Sequence, residues 1–135
     1  MKKSFTLLEL LVVIGIIGLL VGLGSVSYST AQRKARDAKR KDDLRTIQNA
    51  MEQYYSVCGF NYPTPAAGND TTVVPQPIAC ADPATTLLTV IPTDPKSKFS
   101  YTMTQSTNMD YSICAPNTPP LETEATTPYC LSNQQ

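Results

Sequence analysis

The sequence predicts an α+β fold in which one long N-terminal helix leads into a small β-rich head, and three observations carry that prediction. Phe5 to Gly24 is a 20-residue stretch with a single charge, Glu9. Tyr28 to about Val57 contains neither Pro nor Gly and is rich in Ala, Arg, Lys, Gln, Leu and Met, all good helix formers. All 11 prolines and all four cysteines lie from Cys58 onward, in the last 78 of 135 residues. A chain of this length holds one domain with a modest core. Its 11 basic and 11 acidic residues cancel, so only the placement of charge is informative. There is no His and no Trp. That removes Ser-His and Cys-His nucleophiles and His-ligated metals, and an enzyme is not expected.

The first element is the apolar segment. Leu10 to Leu23 holds 11 Leu, Ile or Val residues and three glycines, and a helix needs about 20 residues to cross a bilayer. An ionised Glu9 opposes insertion by about 3 kcal/mol, whereas 11 aliphatic residues at roughly −0.5 kcal/mol each contribute about −5 kcal/mol. Insertion wins. Three readings compete: a cleaved secretory signal, a plain signal anchor, and a membrane segment whose acid has a task. Gly24-Ser25-Val26-Ser27 has the look of a small-x-small cleavage site, but the glycine-rich end runs straight into a helix-forming sequence, which argues against a secretory signal. An intramembrane acid requires a partner, and the nearest candidate is an amine.

Lys2-Lys3-Ser4, then Phe5-Thr6-Leu7-Leu8-Glu9 and the aliphatic run, resemble the class III signal of type IV pilins and pseudopilins. The resemblance implies that a prepilin peptidase cuts on the cytoplasmic side between Ser4 and Phe5, leaves the apolar run in place, and methylates the new amino terminus of Phe5. The family usually has Gly before the scissile bond, where this chain has Ser4. Glu9 becomes the fifth mature residue and matches the family glutamate that neutralises the amine of a neighbouring subunit. Phe5, Thr6 and Glu9 are therefore the expected assembly residues. Unpaired charges in a low-dielectric bundle each cost several kcal/mol, so such a pairing would select strongly for place and register.

The divisions expected on this basis are a leader over 1–4, a transmembrane and assembly half of the helix over 5–27, an amphipathic half over 28–57, and a disulfide-stapled head over 58–135. The resemblance implies a structural subunit that polymerises into a type IV pilus or related pseudopilus. The alternatives are a monomeric membrane-anchored exterior binding domain and a minor pilin for DNA uptake. Expected partners are further copies in a helical filament, prepilin peptidase, and an inner-membrane assembly platform. The precursor would cross the cytoplasmic membrane once with its N-terminus inside, and the assembled subunit would lie at the cell surface.

The second half of the helix carries two apolar stripes at steps of three or four: Tyr28, Ala31, Ala35 and Ala38, then Leu44, Ile47, Met51, Tyr54 and Cys58. At about 100° per residue they lie on roughly opposite faces. In a pilin-like subunit the second stripe docks on the subunit's own sheet, and the alanines admit other helices; phase drift in a solvated helix is the plain alternative. Gly15, Gly18, Gly22 and Gly24 either weaken the helix locally or let membrane helices pack closely.

Between Arg33 and Arg45 stand seven basic and three acidic residues. Acid–base pairs at helical spacing, Asp37 with Lys41 among them, point to a solvated or intersubunit charged face rather than to direct nucleic-acid binding. The run conflicts with the positive-inside rule, since the leader offers only Lys2 and Lys3. The cysteines and the Pro/Thr-rich head nevertheless favour an oxidising exterior.

In the head, Phe99 to Met103 and Tyr111 to Cys114 alternate apolar with polar residues, with Gln105 to Asp110 as a hairpin loop and Thr86 to Ile91 as a third strand. Pro92-Thr93-Asp94-Pro95 resembles the turn that precedes this hairpin in many pseudopilin heads. Major pseudopilins can bind calcium in this region, but no clustered oxygen ligands stand here, and neither a metal nor a cofactor is expected. Cys58, Cys80, Cys114 and Cys130 lack C-x-x-C spacing, so two disulfides are expected rather than zinc. Of three connectivities, resemblance to the disulfide-bounded region of pilins favours Cys114–Cys130, with Cys58–Cys80 tying the helix end to the following loop. Asn69-Asp70-Thr71 is formally a glycosylation sequon.

Overall fold

The computed structural model describes residues 5–67, 72–96, 100–115, 121–123 and 128–134. Its layout is the expected α+β one. Helix α1 runs Leu7–Val57, and seven short strands follow among the described residues: β1 Ala66–Ala67, β2 Thr72–Val73, β3 Ile78–Cys80, β4 Thr85–Leu88, β5 Thr102–Thr104, β6 Ser112–Cys114 and β7 Cys130–Ser132. The chain divides into two compact units, Met1–Lys34 and Ala35–Gln135, so the second unit includes the C-terminal part of the helix.

In the first unit the helix is apolar and bare. Phe5 is 85% exposed, and Leu7 to Leu23 carry their Leu, Ile and Val side chains in the open. The segment is long and apolar enough to cross a membrane, and none of that window is buried.

In the second unit, β1-β2-β5-β6-β7 form an antiparallel sheet, and β3-β4 form a separate two-stranded one. The register places Met103 opposite Ile113 and Ile113 opposite Leu131. These three share one face because side chains alternate along each strand. The same alternation buries Tyr101 with Met103, and Tyr111 with Ile113 and Ala115. Leu44, Ile47 and Met51 of the helix, all at 0% exposure, complete the core with Tyr62, Val74, Ile78 and Ile91. The second helical stripe therefore packs on the sheet, with Tyr54 partly buried at its end, while Tyr28, Ala31, Ala35 and Ala38 are exposed.

The helix ends just before Gly59, the first glycine after Gly24. Gly59 takes a left-handed φ of 83°, and the Phe60 amide donates to the Tyr55 carbonyl at 3.0 Å, the six-to-one bond of a Schellman ending. Phe60, itself at φ 59°, sets its ring edge-on to Tyr55 at 5.7 Å.

Two expectations change. The third strand stops at Leu88 and pairs with β3 rather than joining the hairpin's sheet. Ile91 is buried outside any strand, directly before Pro92, which has no N–H to give to a ladder. The basic run is also not simply a solvated face, because Asp37, Arg40 and Asp43 are buried. Phe99 of the expected hairpin, the Asn69-Asp70-Thr71 sequon and Ser4 lie outside the described residues.

Candidate functional site

Thr6 is the N-cap of α1, and Glu9 occupies the third helical position. The Glu9 amide donates to Thr6 Oγ1 at 3.2 Å, while the Thr6 amide and hydroxyl both donate to Glu9 Oε2 at 3.0 Å. This is a capping box, in which two otherwise orphaned backbone donors are satisfied reciprocally. A carboxylate in the first turn also complements the positive end of the helix dipole. Two of the three expected assembly residues are thus joined within one chain, and Phe5 stands exposed beside them. The Thr6-x-x-Glu9 spacing directly before an apolar run is the signal by which the sequence marks this cap.

Several charged residues of the helix form a second cluster, wholly within the second unit. Arg40 is fully buried and reaches three carboxylates: Nη1 donates to Asp37 Oδ1 at 2.7 Å, Nε and Nη2 both donate to Asp94, and Nη2 lies 3.5 Å from Glu122 Oε1. Arg36 grips Glu122 with two parallel bonds of 2.7 Å. Lys96 Nζ lies 3.7 Å from the same carboxylate.

Asp37 has a further task. It accepts the backbone amides of Glu122 and Thr123, each at 2.9 Å, and the Thr123 hydroxyl at 2.6 Å. Asp43 accepts the buried Tyr101 hydroxyl at 2.8 Å and pairs with Lys39 at 2.7 Å. The cluster fastens the turn at Asp94 and the segment at 121–123 to the helix.

Its electrostatics follow from the geometry. The bidentate Arg36 bond holds the Glu122 carboxyl down to about 2, against the opposing effect of burial. Burial pushes Asp37 up, but the bonds from Thr123, the two backbone amides and Arg40 outweigh it and leave the carboxyl below its usual range. The Asp94 hydrogen bonds keep Arg40 charged despite burial. Burial and the bond to Asp43 push the Tyr101 phenol well above its ordinary value.

The sequence pairing of Asp37 with Lys41 is replaced by these contacts, and Lys41 instead sits 5.1 Å over the Tyr129 ring. Asp94 is more than a turn residue. It accepts the Lys96 amide at 2.9 Å as a turn does, and at the same time partners Arg40.

Glu52 was not singled out from the sequence. It accepts the hydroxyls of Tyr62 at 3.0 Å and Tyr111 at 2.9 Å and the amide of Gln134 at 3.2 Å. Gln48 adds a 2.7 Å bond to the Ser132 carbonyl, so the helix also holds the strand at the C-terminal edge of the sheet.

Cys58 is bonded to Cys80 and Cys114 to Cys130, with Cα–Cα distances of 5.7 and 4.1 Å. The second bridge joins residues directly opposite each other on β6 and β7. Among the described residues there is no group of three or more side chains of metal-ligating type arranged to hold a metal ion.

A family model described as the prokaryotic N-terminal methylation motif matches residues 1–25. The chain is similar to the type II secretion system core protein G of Aeromonas hydrophila, 34% identical over 82 residues, which cover 61% of this chain and 56% of that protein. It is also similar to the protein of the same name from Escherichia coli (strain K12), 35% identical over 72 residues, or 53% and 49% of the two chains. The chain therefore spans about half the length of the curated relatives it matches. No solved structure matches it. The motif matched over the first 25 residues and the similarity to these two proteins together support a type IV pilin-like protein.

Proposed function

We propose that the chain is a non-catalytic structural subunit that a prepilin peptidase cuts between Ser4 and Phe5 and that then polymerises through its apolar helix. The observation that carries this reading is an uncovered apolar helix, capped by Thr6 with Glu9 and directly preceded by Phe5, within the matched methylation motif. Exposed apolar surface of this extent needs a membrane or further copies of itself to cover it.

The bonds from Thr6 use Glu9 Oε2. The methylated Phe5 amine of a neighbour would be taken by Oε1, without dismantling the cap. The relatives are named for the type II secretion system, which favours a pseudopilus over a type IV pilus. The precursor would span the cytoplasmic membrane once with its leader inside, and an inner-membrane platform would draw it into the filament. Both disulfides suit a head that matures in an oxidising compartment.

Mass spectrometry of the N-terminus tests processing. A chain starting at methylated Phe5 is expected, and an intact Met1 overturns the reading. Glu9→Leu tests assembly: filaments should be lost while membrane insertion is retained or improved. Normal filaments from that variant would refute the pairing and leave a monomeric membrane-anchored domain.

A further inference from the structure

The five basic residues from Arg33 to Arg40 divide into two groups. Arg36, Lys39 and Arg40 are committed within the second unit, to Glu122, to Asp43, and to Asp37 with Asp94. Arg33 and Lys34 stand outside that set, and both are exposed. So is Tyr28, at 67%.

Their depth follows from the helix rise. The 20 residues from Phe5 to Gly24 cover about 30 Å at 1.5 Å each, the thickness of a hydrocarbon core. Tyr28 then falls about 6 Å further on, at headgroup level, where the amphipathic Tyr ring is favoured. Arg33 and Lys34 fall about 14 Å beyond Gly24, and their long stems let the charged heads reach back toward the phosphates.

Their azimuths favour one class of partner over another. At about 100° per residue, Arg33 stands roughly 140° and Lys34 roughly 240° around the helix from Tyr28. The three side chains therefore leave in three directions spaced around the circumference. A protein surface meets a helix from one side and needs its contacts on one face. A ring of lipid headgroups surrounds the helix.

We propose that Tyr28, Arg33 and Lys34 form a collar that holds the headgroups of acidic phospholipids where the apolar helix leaves the bilayer. This rests on the membrane-spanning reading above. The collar serves the subunit before assembly, retaining it at a fixed depth, and it is surrendered when the helix leaves the membrane for the filament.

The chain has no Trp, so Tyr28→Trp supplies a single fluorescent reporter at the collar itself. The full chain carrying that change is reconstituted at low salt into phosphatidylcholine vesicles containing 30 mol% phosphatidylglycerol, with bromine on the acyl chains of either one lipid or the other at equal mole fraction. Each cation near an anionic surface is worth about a fivefold local enrichment. Brominated phosphatidylglycerol should therefore quench several-fold more effectively than brominated phosphatidylcholine, and the difference should fade in high salt.

Arg33→Gln with Lys34→Gln should make the two lipids quench equally while quenching itself persists. Equal quenching with both cations present overturns the collar, as does a preference that survives the double change. Loss of self-association in the double variant with its lipid preference intact also refutes it, and assigns the cations to another copy of the chain. No quenching by either lipid would instead overturn the membrane-spanning reading.

Discussion

Replacing Arg40 with Met should cost the head a large part of its stability. The guanidinium is fully buried and serves Asp37, Asp94 and Glu122 at once. Methionine keeps most of the apolar stem, so the loss is mainly that of the charge and its hydrogen bonds. Removing one partner of a buried ion pair costs about 3–5 kcal/mol, because the remaining carboxylates are left desolvated. Domains of this size have only about 5–15 kcal/mol in total. A loss of 3 kcal/mol corresponds to a fall in Tm of at least about 12 °C.

The assay is thermal and urea unfolding of the full chain in detergent, followed by the near-ultraviolet signal of the core tyrosines Tyr101 and Tyr111. Arg36→Met is the comparison. Its side chain is 28% exposed, and Lys96 still lies near Glu122 after its removal, so its cost should be much smaller. A loss below about 1 kcal/mol for Arg40→Met, or equal losses for the two variants, would refute the view that Arg40 is the keystone of the cluster.

Acid should loosen the same cluster. Glu122 and Asp37 both hold protons more weakly folded than unfolded, so their contribution is complete above the ordinary carboxylate value near 4.5 and is lost as the pH falls toward about 2. A urea midpoint that is lower at pH 3 than at pH 6 is expected, and an unchanged midpoint contradicts the assignment. Cys114→Ser with Cys130→Ser opens a loop with a sequence separation of 16, worth about 3 kcal/mol in the chain-entropy model. Limited proteolysis should then cut the head while the apolar helix stays inserted. Thr6→Val removes the helix cap, and hydrogen exchange at the Glu9 amide should accelerate about fivefold.

The long helix was legible because its evidence is local: an apolar run, an absence of Pro and Gly, and helix formers in continuous supply. The sheet-facing stripe was legible for the same reason, since Leu44, Ile47 and Met51 recur at helical spacing and are buried together. The hairpin around Gln105 to Asp110 also showed itself, through alternation on strands that become β5 and β6. Strands β1 and β2 span two residues each, too few for a period of two to register.

The ion cluster was hidden for a different reason. From the sequence, Asp37 has both Arg40 and Lys41 about one turn away, and nothing local reveals that its further partners are Glu122 and Thr123. Asp94 reads as a turn residue because it is one, and its second role depends on a helix 54 residues earlier. At the N-terminus the opposite holds: the cap between Thr6 and Glu9 is as local as any signal in the chain, a Thr-x-x-Glu spacing directly before an apolar run.

The cluster also imposes an order on events. Arg40 precedes Asp94 by 54 residues, and Arg36 precedes Glu122 by 86. As a nascent chain emerges, its cations are delivered long before the two distant acids that will neutralise them. A machinery that inserts the helix would therefore meet seven positive charges between Arg33 and Arg45, offset only by three nearby aspartates. The finished head no longer displays that balance. Contacts of such long range close late, because the loop between them must first be brought together. The charge a newborn helix carries thus differs from the charge the folded chain shows, and the segment around Glu122, arriving 86 residues after Arg36, contributes to the difference.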